Sequence, residues 1–333
     1  MGRRRRGGPG LKALVVRDGD IAFEERPTPE PVSDEVLLET AGTGVNRADL
    51  LQMRGGYPAP AGWPPDIPGL EVAGTVMARG PSASDFREGD RVFGIVGGGG
   101  HSTHVLTRSS LLATVPEGID LVEAGGVPEV FLTAHDALVT QAGMRAGDRV
   151  LVHGVGSGVG TAAVQLAKAL GATTVGTARS PEKLRRARDL GLDQGVLASE
   201  DMAHEIGGVS IVLDLVGGRY VKTDIEVCAP KGRIIVVGLM AGSETAVDLQ
   251  AILQKRLTLR GTVLRARPDY EKALAMNAFE AQVVPLLERG VVRPVIDRIV
   301  PLEDAKKAYD CLASNANFGK VVLDARTSLR GGG

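Results

Sequence analysis

The strongest constraint in the sequence is the stretch at residues 148–171, DRVLVHGVGSGVGTAAVQLAKALG. Its apolar run at 149–153 predicts a short buried strand, and its glycines at 154, 156, 158 and 160 predict a tight turn. Residues 161–170 then read as a helix packed through Ala162, Ala163, Val164 and Leu166. That order leaves unpaired backbone N–H groups and the positive end of a helix dipole beside a turn nearly free of side chains. Gly156, Ser157, Gly158, Val159 and Gly160 are therefore candidates to cradle the diphosphate of a dinucleotide. The spacing is not a strict G-x-G-x-x-G, because six residues counted from Gly154 end at Val159 and from Gly156 at Thr161. Taken alone, the glycines also fit a plain connection between a strand and a helix.

The flanking pattern favours the ligand. From residue 130 a helix at 130–142 leads into the turn, and strands at 173–178, 195–198, 210–216, 232–238 and 257–263 then alternate with helices at 181–190, 200–206 and 220–228. Such alternation predicts an α/β fold: a doubly wound parallel sheet of six strands with helices on both faces, binding its ligand beyond the carboxyl ends of the strands. A long helix is expected at 269–289. Residues 11–128 read instead as short strands at 11–16, 36–40, 72–78, 91–95 and 102–106, punctuated by prolines such as Pro58, Pro60 and Pro64. A compact, partly barrel-like β-domain keeps such strands from exposing their edges. Strands at 296–300 and 319–324 are expected to rejoin it. The expected division is thus 11–128 with 291–326 as the β-rich domain, 129–290 as the nucleotide-binding domain, and a cleft walled by both.

The whole-chain numbers narrow the function. At 333 residues with 43% hydrophobic, the chain is long enough for two cores, and a net charge of -1 gives no general attraction to nucleic acid or anionic membranes. No apolar run approaches the roughly 18 to 20 residues of a membrane span, so a cytoplasmic protein is expected. Residues 1–10, MGRRRRGGPG, have nothing to bury and read as a disordered tail; a targeting or anion-binding role is the alternative. Cys228 and Cys311 are too few for a cysteine-based zinc site.

The second strand of the parallel sheet indicates the nucleotide. An acidic residue at its end would hydrogen-bond the ribose 2′-hydroxyl of NAD, whereas positive charge there accommodates the 2′-phosphate of NADP. Here the strand runs into Arg179-Ser180-Pro181-Glu182-Lys183. Arg179 and Lys183 can make charge-assisted hydrogen bonds to a phosphate, and Ser180 can offer a hydroxyl from the N-cap position. NADPH is therefore the expected cofactor. The alternative makes Ser180-Pro181 a simple helix start and Arg179 a solvated charge, and the nearby Glu182 favours it.

Several further motifs occur in order: Val45-Asn46-Arg47-Ala48-Asp49-Leu50, Arg54-Gly55-Gly56-Tyr57-Pro58, Pro68-Gly69-Leu70-Glu71-Val72-Ala73-Gly74, Glu88-Gly89-Asp90-Arg91-Val92 and Phe318-Gly319-Lys320-Val321-Val322-Leu323. With the glycine turn, they make the chain resemble the zinc-free medium-chain dehydrogenase/reductases over almost all of residues 11–324. The resemblance is to NADPH-dependent quinone oxidoreductases of the zeta-crystallin-like type. NRADLLQMRGGY, GVGTAAVQLA and VVGLMAG are most similar to the subgroup induced by a tumour suppressor in animals. One departure is Val155-Gly156-Ser157, where the family often carries an alanine or a second small pair.

The resemblance implies a GroES-like β-rich catalytic domain beside a Rossmann domain, and NADPH-driven reduction of quinones or other conjugated carbonyls. It also implies a homodimer joined through the edge strand near 257–263. Tyr57 and Asn46 would face the nicotinamide as the catalytic residues. Read without the resemblance, Tyr57 fits a loop anchor and Asn46 a helix N-cap. The same carry-over assigns cofactor contacts to Thr133, Gly217, Gly238, Leu239, Met240, Phe318, Gly319 and Lys320. Zinc is not expected: relatives that use it carry Gly-His-Glu where this chain has Gly69-Leu70-Glu71, and leucine cannot ligate. His101 and His104 are expected to be surface or cleft-lining side chains rather than a metal pair. The competing readings are reduction of an enone or enoyl thioester by the same step, and a non-catalytic NADPH-binding protein with a structural or sensing role.

Overall fold

The computed structural model describes residues 10–330, so the expected tail lies outside the described residues except for Gly10. The described residues divide into two compact units: 10–129, 265–280 and 296–330 form the first, and 130–264 and 281–295 the second. Where the sequence placed 129–290 in one domain, residues 265–280 pack with the β-rich unit. Phe279 explains this attachment, for its buried ring lies 5.7 Å from that of Phe93 in the first unit.

The second unit is built on six parallel strands: β1 (Arg149–His153), β2 (Thr173–Ala178), β3 (Gln194–Leu197), β4 (Val209–Asp214), β5 (Cys228–Val236) and β6 (Thr258–Gly261). Their spatial order is 3-2-1-4-5-6, the doubly wound arrangement with its switch point between β1 and β4. Val150, Leu151 and Val152 of β1 have no exposed surface, as a continuous apolar run between two helical layers requires. The helix Gly158–Ala169 starts three residues before the expected position, because Ser157 caps it: its Oγ accepts the Gly160 N–H at 3.0 Å.

The first unit holds a seven-stranded sheet. Ile296–Pro301, Lys320–Asp324, Glu35–Val45, Glu71–Arg79, Arg91–Ile95 and Leu112–Thr114 follow one another in space, and His104–Arg108 pairs with Glu35–Val45. Glu35–Val45 thus has three partner strands, and its register shifts twice against Glu71–Arg79, the irregularity that curls a sheet toward a barrel. Leu11–Arg17 and Asp20–Arg26 form a separate hairpin. Among the described residues no helix is long and apolar enough to cross a membrane.

Two helices depart from expectation. The helix expected at 130–142 is α-helical over Pro128–His135 and then widens into a π-turn over Asp136–Gln141, where the Ala142 N–H reaches Ala137 O at 3.0 Å. The buried Asp136 accepts a hydrogen bond from Gln141, five positions on, which matches the wider turn. The helix expected at 269–289 breaks into Asp269–Gln282 and Val284–Glu288, because Pro285 supplies no N–H to continue the ladder. Of the two placements expected for His101 and His104, the surface one fails: 0% and 6% of their surfaces are exposed.

The central strand should carry much of the second unit's stability. Leu151→Ala is expected to lower unfolding free energy by about 2–5 kcal/mol. Leu197→Ala, at a position 44% exposed on β3, should change it by about 0.5 kcal/mol or less. Urea titration of the two variants measures the contrast.

Candidate functional site

In the second unit the glycine turn has the form an anion needs. A Cβ at Gly160 would collide with Gly154 O and lie 2.7 Å from Val155 Cα, so only glycine lets the helix start this close to the strand end. Ser157 is exposed, and its hydroxyl donates to Gly154 O at 2.8 Å while capping the helix. The side chain of Lys183 crosses over Gly156, with its Cδ 2.7 Å from where a Cβ would stand. Charge is thus brought to the turn from the helix Pro181–Arg188. Arg179 is exposed beside it, and Ser180 occupies the N-cap of that helix without making a side-chain capping bond. The residues present fit a dinucleotide's diphosphate.

Behind the turn, a buried network ties together the carboxyl ends of the central strands. His153 ends β1 with no exposed surface; its Nδ1 lies 2.8 Å from Thr177 Oγ1 and its Nε2 2.8 Å from Asp224 Oδ1. These partners imply a neutral ring that accepts from Thr177 and donates to Asp224. Burial pushes its pKa down to about 4, against the pull of Asp214. Asp214 ends β4 and accepts the N–H groups of Val216 and Gly217 at 2.7 and 2.9 Å. Burial, followed by the charge of Asp224, raises Asp214 to about 6. Gly217 is thereby held against the next strand end, and a Cβ on it would lie 2.7 Å from Gly238 O. Leu239 and Met240 follow, more than half exposed, and Thr133 is half-buried on its own helix.

In the first unit the predicted residues Asn46 and Lys320 meet at a third, Glu71. Lys320 is 4% exposed and Glu71 fully buried, with Nζ 2.6 Å from Oε1. The ammonium also donates to Asn46 Oδ1 at 2.7 Å and Val45 O at 3.1 Å, so all three of its protons have acceptors. Asn46 Nδ2 in turn donates to Glu71 Oε1 at 2.9 Å and Gly44 O at 3.2 Å. The second carboxylate oxygen of Glu71 accepts the Glu129 N–H at 2.9 Å. Space for this cluster depends on Gly44, where a Cβ would strike both Glu71 and Lys320. Asn46 also begins the helix Arg47–Met53, its N–H donating to Asp49 Oδ2 at 2.7 Å. With both amide protons engaged, Asn46 orients Glu71 and Lys320 and has no N–H left for a ligand. Phe318 is buried, and Gly319 turns the chain in the left-handed region just before Lys320.

Tyr57 is half-buried in the loop after that helix, and its hydroxyl has no hydrogen-bond partner among the described residues. Arg265 positions it. The guanidinium carbon lies 5.1 Å from the centre of the Tyr57 ring, Nη1 donates to Tyr57 O at 2.9 Å, Nη2 to Gln52 Oε1 at 2.6 Å and Nε to Gly97 O at 2.8 Å. Burial raises the phenol's pKa, and the charge of Glu129 raises it further against Arg265. Nearby, His101 bridges Tyr309 Oη at 2.9 Å and lies 3.9 Å from Asp49; burial lowers its pKa, which keeps it neutral. Sequence reasoning missed Arg265, Glu129 and the His153–Asp224 pair. None of them stands in a recognisable spacing; Arg265 lies in an unremarkable Arg265-Ala266-Arg267.

Two family models match: an alcohol dehydrogenase GroES-like domain over residues 32–140, and a zinc-binding dehydrogenase over residues 158–278. A quinone oxidoreductase from Pseudomonas aeruginosa is 32% identical over 330 residues, covering 95% of this chain and 96% of that protein. A spectinabilin polyketide synthase system protein from Streptomyces orinoci is 36% identical over 264 residues, 77% of this chain; the matched region is 12% of that protein's length. Among solved structures, a mycobacterial protein complexed with NADPH is 27% identical with a TM-score of 0.84, covering 94% of this chain and 99% of the other.

The residues present do not fit the zinc that the second model's description carries. Among the described residues no three His, Cys, Asp or Glu side chains gather, and Glu71 is already matched by an ammonium. Removing one partner of that pair should be costly. Lys320→Met strands a buried carboxylate and is expected to cost about 3–5 kcal/mol, much of it recovered in the Glu71→Gln/Lys320→Met double variant. Chemical unfolding of the single and double variants reads the coupling.

Proposed function

The chain belongs to the medium-chain dehydrogenase/reductase family, and on that premise we propose that it is a metal-independent, NADPH-dependent reductase of quinones and related conjugated carbonyls. The observation that carries the metal-free part is the saturated Lys320–Glu71–Asn46 cluster, which supplies fixed charge balance and offers no ligand set. Bound NADPH would supply the hydride. The chain's own part is to hold a flat acceptor and to face its oxygen with a hydrogen-bond donor as negative charge develops there. Tyr57 serves as that donor: its hydroxyl is unengaged, its ring is fixed by Arg265, and its raised pKa keeps the phenol protonated.

NADPH is preferred to NADH in this reading because Arg179 and Lys183 flank the end of β2 and no acidic residue ends that strand. The quinone oxidoreductase among the relatives supports the acceptor class. The polyketide synthase match favours a second acceptor, a conjugated thioester, since polyketide chains are carried as thioesters. We also propose a homodimer paired through the edge strand β6, whose Leu259 and nearby Val263 are about half exposed. Sedimentation equilibrium should give twice the monomer mass of 34.7 kDa.

NADPH oxidation against a panel of quinones, enones and enoyl thioesters tests the reaction; turnover should survive a strong chelator, and no turnover with any acceptor would refute the reading. Arg179→Ala/Lys183→Ala should raise KM for NADPH by about 10- to 100-fold, the equivalent of one or two charge-assisted bonds, and leave KM for NADH nearly unchanged.

A further inference from the structure

The proposed reduction consumes a proton as well as a hydride, and Tyr57, with its raised pKa, holds its own proton firmly. A group that releases a proton more readily would deliver it faster. Most of the polar side chains in this part of the first unit are already committed. The ammonium of Lys320 donates three times, both oxygens of Glu71 accept, and both oxygens of Asp49 accept backbone N–H groups from Asn46 and Gly69. Arg265 donates to three carbonyl-type oxygens.

Glu129 differs. It stands in the first turn of the helix Pro128–His135 and is anchored through its backbone N–H to Glu71, while its carboxyl group has no hydrogen-bond partner among the described residues. It keeps some exposure to solvent, so it can be recharged with protons. Its N–H lies 2.9 Å from Glu71 Oε2, which puts it at the Lys320–Glu71–Asn46 cluster, and its charge bears on Tyr57, the residue proposed to face the acceptor. We propose that Glu129 is the catalytic proton donor of this site, delivering its carboxyl proton to the oxygen of the bound carbonyl acceptor.

This rests on the reductase reading above, and the step balances. Bound NADPH would supply a hydride, which carries both electrons of the reduction, to the acceptor. The Glu129 O–H bond breaks, an O–H bond forms on the acceptor, and the carboxylate left behind takes a proton from water. The charged groups around Glu129 set its availability. Burial and the neighbouring carboxylate of Glu71 raise its pKa to about 8, Asp49 adds to this, and Lys320 and Arg265 oppose it. A carboxyl group so placed is largely protonated at neutral pH and titrates near the working range, where an acid catalyst is most effective.

The test compares wild type with Glu129→Gln, which keeps shape and loses the proton. With an enone acceptor, kcat of the wild type should be level at neutral pH and fall above about pH 8, tenfold per pH unit. Glu129→Gln should be about 100-fold slower, with that limb gone and NADPH affinity unchanged. Independently of turnover, the infrared spectrum of the unliganded wild type should show a protonated carboxyl band at pH 7 that is lost by pH 10 and is absent from the variant. A variant with wild-type rate and the same limb overturns the donor, as does a wild type without that band. A wild type that shows the band and reduces no acceptor overturns the reductase reading, and the donor role with it.

Discussion

A lysine ammonium and a glutamate carboxylate sealed from water hold the first unit's site together. Stripping both Lys320 and Glu71 of hydration costs several kcal/mol each, and their attraction offsets this only when every remaining proton and lone pair finds a partner. Here Asn46, Val45 O and the Glu129 N–H complete the set. The pair therefore fixes three chain segments at one point: the start of Lys320–Asp324, the end of Glu35–Val45 and the start of Glu71–Arg79. It also sets the electrostatics of what lies beside it, because Glu71 discourages a second negative charge at Glu129.

Under the proposed function the two units would meet their ligands by different means. The nucleotide unit relies on backbone: a turn cleared by Gly160, a helix capped by Ser157, and strand ends tied by His153, Asp214 and Asp224. Its buried histidine is neutral, so the ties add no fixed positive charge behind the turn. The β-rich unit relies on side chains whose own partners hold them still, Arg265 over Tyr57 being the clearest case. A donor positioned in this way need not reorganise as charge develops on an acceptor.

Much of this was legible in the sequence, for identifiable reasons. The strands of the parallel sheet are continuous apolar runs between glycine and proline punctuation, so their existence and their succession along the chain followed from pattern, while their order in space did not. Lengths were less readable. Glu35–Val45 outruns the expected 36–40 because it bends around several partners, and Asp20–Arg26 escaped notice because Glu24, Glu25 and Arg26 disguise an exposed hairpin strand. The Asp18-Gly19 turn, with φ of 49° and 82°, was the available signal for it. For the site, the family resemblance singled out Asn46, Tyr57 and Lys320 as expectations, and only coordinates show that Lys320 and Asn46 are engaged with Glu71. Glu129 and Arg265 become visible only through what surrounds them, since a pKa near 8 is a property of neighbours and not of a glutamate in a sequence.

The strand Lys320–Asp324 lies inside its sheet, parallel to Ile296–Pro301 on one side and antiparallel to Glu35–Val45 on the other. All six strands of the nucleotide sheet are synthesised before residue 262. A chain emerging from the ribosome can therefore close that sheet while the β-rich unit, begun first, still lacks an interior strand and the lysine that neutralises Glu71. Of the two units, the one begun earlier is the last to become whole, and until then the Glu35–Val45 edge stands open to any passing strand.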